Sequence, residues 1–511
     1  MRWIWLCCLL APLQALAQQE QTGGTAATDS LATLAARIDA HISAPAFAEA
    51  GWGIHVVSLD SGKTVYAHAA DALMVPASTA KIFTAALALD TFGPEYRIPT
   101  SLFATQEVRR DGELRGDLIL VGYGDPTLGT EKRRNWADQL AVALRKSGVQ
   151  SVRGSLIADA SWFASPLFGS GWEAADLQSW FGAPASALSV DENVFRIEVR
   201  PAPLAGATAR IALDPKPAAL EIENNLRTLK APARTDISLY RAPGDTVLHA
   251  FGSIASDAAA QHYRLSMQDP ALVAAEQLRA ALLRVGISVR GKSRSIYWPQ
   301  RRDVAEAESL QHIADVWSEP LAEVVHHGLK VSQNLYMQNL LLMAGAKAAD
   351  DARAAGKEPL AFRSSEAMGI QALRAFLSRI GEPLNGMVIE DGAGLSRRNL
   401  TSAAALTGLL VKWGDSDAAR AFRLALPEAG VDGSLTGRMR NSAAEGRIHA
   451  KTGSMAFTYA LAGYAVTRAN ERLAFAIMLN NYRRPPSSGR ASAELDAIAI
   501  LLAELDVRST P

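Results

Sequence analysis

Ser78 and Lys81 stand three residues apart in Val75-Pro76-Ala77-Ser78-Thr79-Ala80-Lys81-Ile82-Phe83, and a serine and a lysine at that spacing can do nucleophilic chemistry. A serine hydroxyl is a poor nucleophile at neutral pH until a neighbouring base takes its proton, and an amine held beside it in a partly dry site is such a base. Pro76 favours a helix start and the apolar run Ile82 to Leu89 continues it, so Ser78 falls in the first turn with Lys81 one turn on, both on one face. Backbone N–H groups at a helix start favour negative charge, which suits an oxyanion forming beside Ser78. The pair alone is weak evidence, since Ser and Lys three apart occur by chance and a helix-start serine with a solvated lysine is the plainer reading.

Two later stretches change that balance. Ser332-Gln333-Asn334 precedes the helix-like run Leu335 to Leu341, a place where such a tripeptide is ordinarily a loop or a cap. Lys451-Thr452-Gly453-Ser454 ends a strand-like run from Ile448, with Gly453 permitting close approach of a ligand backbone. Tyr459 to Val466 and Leu473 to Leu479 follow as antiparallel strands. Taken by itself, Lys-Thr-Gly could be no more than the end of an edge strand.

The elements that must hold these residues begin after a processed leader. Met1-Arg2, the short apolar stretch Trp3 to Leu13 and the small-x-small site Ala15-Leu16-Ala17 read as a cleaved secretory signal over 1–17, with Gln18 to Ser30 a flexible leader. Both cysteines, Cys7 and Cys8, lie in that signal, so the mature chain has no disulfide, thiolate nucleophile or cysteine metal site. Export without cysteine fits a periplasm. Of 511 residues, 49% are apolar and 20% charged, enough for more than one domain. Lys+Arg and Asp+Glu are 52 each, and loss of Arg2 leaves 51 against 52, which gives no support for nucleic-acid binding or attachment to anionic lipid.

Leu31 to Ile42 is an amphipathic helix, and Trp52 to Ser58 with Thr64 to His68 form two strands around Asp60-Ser61-Gly62-Lys63. From about residue 100 to 305 the texture changes to short strand-like runs such as Leu118-Ile119-Leu120-Val121 and Phe195-Arg196-Ile197-Glu198-Val199, divided by Gly, Pro and Asp. This reads as a β-rich insertion, with a smaller subdomain within about 200–260. Val121-Gly122-Tyr123-Gly124-Asp125-Pro126 lacks the third glycine and the helix of a dinucleotide fingerprint and reads as a tight turn. Gly171-Trp172-Glu173-Ala174-Ala175-Asp176, followed by Trp180-Phe181, is either a buried loop anchor or a place where Asp176 meets a cationic group. His326 and His327 are adjacent and cannot aim at one metal from one helix, no HExxH pattern occurs, and nothing calls for a cofactor. Pro485 to Gly489 is a loop and Ser492 to Leu505 a terminal helix.

In order, Ser-x-x-Lys, Ser-x-Asn and Lys-Thr-Gly resemble the active-site set of penicillin-recognising serine enzymes. The first two motifs are 254 residues apart and the last two 119, and the long first gap resembles the class C low-molecular-mass penicillin-binding proteins, the D-alanyl-D-alanine carboxypeptidase/endopeptidase family. Gly124 to Leu128, Ser186 to Ser189, Asp391 to Arg397 and Gly430 to Leu435 are similar to signatures of that family. Ala393, Ser454 and Ala174 depart from its more usual Ser, Thr and Trp, and the last leaves the side-chain preference of the pocket open.

The resemblance implies an α/β (α+β) penicillin-binding/β-lactamase-like transpeptidase domain, an antiparallel sheet flanked by helices, built from 18–99 and 306–511 and interrupted by the insertion. It implies that Ser78 attacks the carbonyl of the penultimate D-alanine with Lys81 as base, and that the backbone N–H groups of Ser78 and Ser454 hold the oxyanion. Ser332 would relay a proton to the leaving amine, Asn334 bind the substrate amide and orient Lys81, and Lys451, Thr452 and Ser454 hold the terminal carboxylate. Asp176 would meet the free amine of a peptidoglycan stem peptide. Stem peptides are then the substrate and β-lactam antibiotics the inhibitors. A β-lactamase shares all three motifs, though no deacylation glutamate is recognisable; an inactive cell-wall-binding protein is the rival from another class.

Overall fold

Two segments far apart in the chain build one sheet. In the computed structural model, which describes residues 30–298, 300, 310–357, 361–483 and 490–509, Gly51–Ser58 pairs antiparallel with Arg472–Asn480, setting Ile54 opposite Ile477. The secretory signal with Cys7 and Cys8, nearly all of the leader and the loop Pro485 to Gly489 lie outside the described residues. The five strands run in the order Ile448–Met455, Thr458–Val466, Arg472–Asn480, Gly51–Ser58, Thr64–His68, all antiparallel, with the lysine-bearing strand at an edge.

Alternation along these strands explains their unbroken apolar sequence. Phe475, Ile477 and Leu479 turn to one face and join Leu34 and Ile38 of the helix Leu31–Ile42 and Leu495, Ile498 and Leu502 of the helix Ser492–Glu504. Ala474, Ala476 and Met478 turn to the other and join Ile82, Ala85 and Leu89 of the helix Lys81–Phe92. A strand buried on both faces needs apolar residues at every position. Each leucine or isoleucine so buried contributes about 1.5–3 kcal/mol.

A second sheet lies in the chain between the first two motifs. Its order is Ser293–Ile296, Leu156–Asp159, Leu118–Gly122, Pro99–Ala104, Gln311–Trp317, the first three parallel and the rest antiparallel. Two three-stranded sheets follow between Val194 and Ser266. The β-rich expectation is incomplete, because the helices Trp136–Lys146 and Pro270–Arg284 pack on each other and on the second sheet. Asp269 caps the latter through Leu272 N–H at 2.9 Å, with Pro270 at its first position. The strand Gln311–Trp317 lies beyond the expected border at 305 and completes this sheet against Pro99–Ala104. We propose that the interruption runs from 99 to 317. Helical periodicity resumes only at Leu321, so a single short strand near the border carried no signal of its own.

The chain bends at Gly124 just past the strand Leu118–Gly122, and the turn itself follows over 126–129. Gly124, at φ +95°, donates its N–H to Ala187 O at 2.7 Å, and a Cβ there would stand 2.6 Å from Met343 Cγ. Asp125 accepts from Thr127 N–H and Oγ1 at 2.8 and 2.6 Å and pairs with the buried Arg133.

Candidate active site

Ser78 sits in a single tight turn, Ala77–Ala80, that runs into the helix Lys81–Phe92. The expected helix start is there, but its first turn is 3₁₀ and Ala77 has φ +47°. Two glycines press on it. A Cβ on Gly394 would stand 2.1 Å from Ala77 O, and one on Gly453 would stand 2.7 Å from Pro76 O. Only residues without a side chain let the Lys-Thr-Gly strand and the 391–397 loop reach the nucleophile's backbone.

Every residue from Lys81 to Leu89 is buried, and Lys81 itself has no exposed surface. Its Nζ lies 2.9 Å from Ser78 Oγ and 2.6 Å from Asn334 Oδ1, and also donates to Ala393 O. Burial pushes the ammonium down from the ordinary 10.5 to about 7, while the Asp391 carboxylate pulls the other way. Asn334 opens the helix Asn334–Ala354, and its Nδ2 donates to Phe181 O at 2.8 Å. One amide thus ties Lys81 to the loop after Asp176.

Ser332 follows the helix Leu321–Lys330, which ends with Gln333 N–H donating to Gly328 O at 2.9 Å. In such a helix ending the residue past the last turn takes left-handed dihedrals, and Ser332 has φ +60°. A serine in this region costs about 1–2 kcal/mol relative to its relaxed form. The conformation presents Ser332 Oγ to Lys451 Nζ at 2.8 Å. Lys451 is fully buried, also donates to Thr452 O at 2.7 Å, and is held well below its ordinary range by burial, with the charges of Lys81 and Arg438 adding to it. Ser78, Lys81 and Asn334 therefore form one hydrogen-bonded group and Ser332 with Lys451 another, the two lysines being near enough for their charges to act on each other.

Thr452 Oγ1 donates to Ser434 Oγ at 2.9 Å, and Ser454 is exposed on the same face of the strand. Asp176 lies half-buried in the turn Ala174–Asp176; burial and the neighbouring Glu173 push its carboxyl up, against Arg397. Among the described hydrogen bonds its carboxylate joins none of those around Ser78 or Ser332, and the chain runs on from it into the loop that carries Phe181.

Other groups sequence reasoning left without a role. Asp391 is wholly buried and accepts from Trp172 Nε1 at 2.8 Å, Asn399 Nδ2 at 2.7 Å, Gly394 N–H at 3.1 Å and Leu395 N–H at 3.0 Å. Gly392 N–H donates to Gln338 Oε1 at 2.7 Å, and Gln338 Nε2 donates to Glu366 Oε1 at 2.8 Å. Burial lifts Glu366 to about 7. Asp391 lay in a stretch already singled out; Gln338 and Glu366 had no signal beyond being polar residues on apolar helices.

A serine beside a desolvated lysine, with a second serine-lysine pair across a cleft in an α/β domain, defines an acyl-transferring serine enzyme. Comparison with known proteins gives the family: residues 34–504 match the D-Ala-D-Ala carboxypeptidase 3 (S13) family, and the chain belongs to it. It is 33% identical to a D-alanyl-D-alanine carboxypeptidase of Actinomadura sp. over 485 residues, 93% of this chain and 85% of that one. It is 26% identical to the D-alanyl-D-alanine carboxypeptidase DacB of Haemophilus influenzae over 80% of this chain and 81% of the relative. The crystal structure of penicillin binding protein 4 from Haemophilus influenzae superposes with TM-score 0.76 at 24% identity, covering 90% of this chain and 97% of that one, a likeness of fold.

Proposed function

We propose that this chain is a serine D-alanyl-D-alanine carboxypeptidase and D,D-endopeptidase that cleaves peptidoglycan stem peptides through an ester on Ser78. The observation that carries the reading is the contact of the fully buried Lys81 with Ser78 and Asn334. With its proton held only below about 7, Lys81 is a neutral amine over much of the working range and takes the proton of Ser78 Oγ as that oxygen attacks the penultimate D-alanine carbonyl. Backbone N–H groups of Ser78 and Ser454 meet the oxyanion. The C–N bond breaks, and the proton taken up by Lys81 passes by way of the Ser332 hydroxyl to the departing amine, which leaves Lys81 neutral and Ser332 protonated. Water then cleaves the ester and restores Ser78.

The terminal carboxylate lies against Lys451, Thr452 and Ser454. Burial, with the charges of Lys81 and Arg438, pushes the Lys451 ammonium below its ordinary range, and a carboxylate beside it works the other way, favouring the charged form. Asp176 meets the amine of the stem peptide on the acyl side. Benzylpenicillin, which carries a carboxylate and a strained acyl group, acylates the same serine. The sequence of residues 1–17 supports export to the periplasm.

The test follows the intact mass of the mature protein after addition of benzylpenicillin, with Ser78→Ala alongside. An adduct of one penicillin on the native chain and none on the variant is expected, with release of D-alanine from a D-Ala-D-Ala peptide lost in parallel. D-alanine release retained by Ser78→Ala refutes the assignment. An adduct that forms and clears within the dead time, with the drug consumed, identifies a β-lactamase instead.

A further inference from the structure

Behind the Ser-x-Asn motif stands a carboxylate from the long segment between the first two motifs. Glu192 Oε2 accepts from Gln333 Nε2 at 3.3 Å and its Oε1 from the Tyr336 hydroxyl at 3.2 Å, while His327 Nε2 stands 3.4 Å from the same oxygen. His327 lies in the helix Leu321–Lys330, Gln333 in the motif and Tyr336 in the first turn of the helix Asn334–Ala354. One side chain thus touches the chain before, within and after the motif. Burial works to lift the Glu192 carboxyl, and the contacts with His327 and Tyr336 outweigh it and hold the group below its ordinary range.

The backbone under Glu192 has a shape it would not take by itself. Asp191, Glu192 and Asn193 have φ +50°, +57° and +55°, three left-handed residues in succession and none of them glycine. Such a run persists only where its surroundings over-determine it. Asp191 donates its N–H to Leu128 O at 2.8 Å and accepts from Gln277 Nε2 at 2.6 Å. Asn193 donates from Nδ2 to Pro184 O at 2.8 Å and accepts from Val190 N–H at 2.9 Å. The anchors on both sides leave Glu192 as the residue that faces the motif.

The receiving side chain is equally confined. Gln333 is 3% exposed, its Oε1 has no hydrogen-bond partner among the described residues, and its Nε2 has Glu192 as acceptor. It turns back to Glu192 while Ser332 and Asn334, on either side of it, reach Lys451 and Lys81. The middle residue is therefore the handle of the motif, and Ser332 beside it keeps a φ of +60° that its neighbours must impose.

We propose that Glu192 is a positioning residue for acylation, an inference that rests on the reading of Ser78 as the nucleophile. Among the described contacts its carboxylate touches neither Ser78 nor the two lysines; it acts through Gln333 and Tyr336, which fix where Ser332 and Asn334 present their oxygens. Glu192, His327 and Tyr336 line a cavity of about 510 Å³, so truncating Glu192 widens an existing space and opens no void in the core.

The experiment measures benzylpenicillin acylation over a range of drug concentrations in the native protein, Glu192→Ala, Glu192→Gln, Gln333→Met and the double variant Glu192→Ala/Gln333→Met. In Glu192→Ala the limiting acylation rate is expected to fall about tenfold, with the half-saturating concentration within about twofold of native. A contact that served stability alone would lower the fraction of protein able to take the drug and leave the limiting rate of that fraction unchanged. Glutamine can still accept from Gln333 while its amide meets Tyr336, so Glu192→Gln is expected within about threefold of native. Gln333→Met reproduces the loss from the motif side, and the double variant is no more than about twofold slower than either single one. Gln333→Met also carries the test should Glu192→Ala fail to fold. A limiting rate within about twofold of native in Glu192→Ala or in Gln333→Met, a Glu192→Gln protein as slow as Glu192→Ala, or losses that multiply in the double variant each overturns the assignment. A native protein that takes up no penicillin and releases no D-alanine overturns the reading of Ser78 itself, and this inference with it.

Discussion

Asp432 holds the ammonium of Lys330 at 2.6 Å, two residues ahead of Ser332, from the same short loop whose Ser434 accepts the hydroxyl of Thr452 at 2.9 Å. That loop therefore spans the cleft, gripping one wall through Lys330 and the other through Thr452. The grip is close: a Cβ on Gly433 would stand 2.6 Å from Lys330 O, and Lys330 Nζ also donates to Leu426 O at 2.7 Å. Asp432→Asn keeps the shape and removes the charge. Because the pair is part-exposed, the stability loss is about 1 kcal/mol or less. Ser332 loses its fixed approach to Lys451, so penicillin acylation slows by about tenfold while the melting temperature moves by only a few degrees. An unchanged acylation rate in stopped-flow measurements removes this loop from the site.

Ser434→Ala addresses the other end of the loop. Thr452 Oγ1 keeps its place on the strand but loses its acceptor, and its hydroxyl is then free to turn away from an incoming carboxylate. The loss falls on KM for carboxylate-bearing substrates, about threefold to tenfold, with kcat nearly constant, the pattern of weakened uniform binding. Ser434→Thr retains an acceptor and restores KM. If kcat falls instead, Ser434 acts on the reacting centre and not on the carboxylate.

Ser332→Gly separates geometry from chemistry. The residue ends a helix at φ +60°, a position glycine occupies without strain, so the folded state gains what the looser unfolded chain costs, each about 1 kcal/mol. Calorimetry is expected to show a melting temperature close to native. The proton relay is lost, and acylation falls by about 10²-fold or more. Native-like acylation in a stable Ser332→Gly protein rules out the relay.

The sequence made the chemistry legible because the motifs are local. Ser78 with Lys81, Ser332 with Asn334, and Lys451 with Thr452 and Ser454 each lie within four residues, on elements whose periodicity is clear. The helix Leu31–Ile42 and the paired strands around Gly62 also came out as read. Asp391 was not assigned because its partners are set by tertiary packing: Trp172 comes from the insertion, 219 residues earlier. The helices Trp136–Lys146 and Pro270–Arg284 were hidden by flanking strand-like runs, although Asp269-Pro270 is a helix-start signal that could have revealed the second. Ser332 illustrates the limit from the other side, since nothing in Ser-Gln-Asn says that its first residue must be left-handed.

Glu366 gives a pH dependence unrelated to catalysis by Ser78. Buried between Ser170 and Gln338, its carboxyl is lifted from 4.5 to about 7. Folding therefore favours the protonated acid. That contribution is complete below pH 4.5, and it is lost as pH rises toward 7, a change of roughly 3 kcal/mol at most. Glu366→Gln cannot ionise, so denaturant midpoints measured from pH 4.5 to 7.5 are expected to fall less steeply in the variant than in the native protein. Parallel curves would show that Glu366 titrates in the ordinary carboxylate range.

Lys81 makes the opposite kind of demand, and it acts on rate as well as stability. In the unfolded chain its amine holds a proton up to about 10.5, whereas in the fold burial limits this to below about 7. Between those values the unfolded state binds more protons, so the lysine's contribution to stability is absent below 7 and grows as pH rises toward 10.5. The rate depends on the folded value alone: the neutral amine is the base, so penicillin acylation should rise through a midpoint near 7 and level off above it. Asp391 resists this by favouring the charged amine from its buried position, so Asp391→Asn, if it folds, moves the midpoint to lower pH. Acylation followed by intact mass at fixed benzylpenicillin from pH 5 to 9 reads both effects. A rate that is flat across that range, or that falls as pH rises through 7, removes Lys81 as the base and leaves it only as a positive charge beside Ser78.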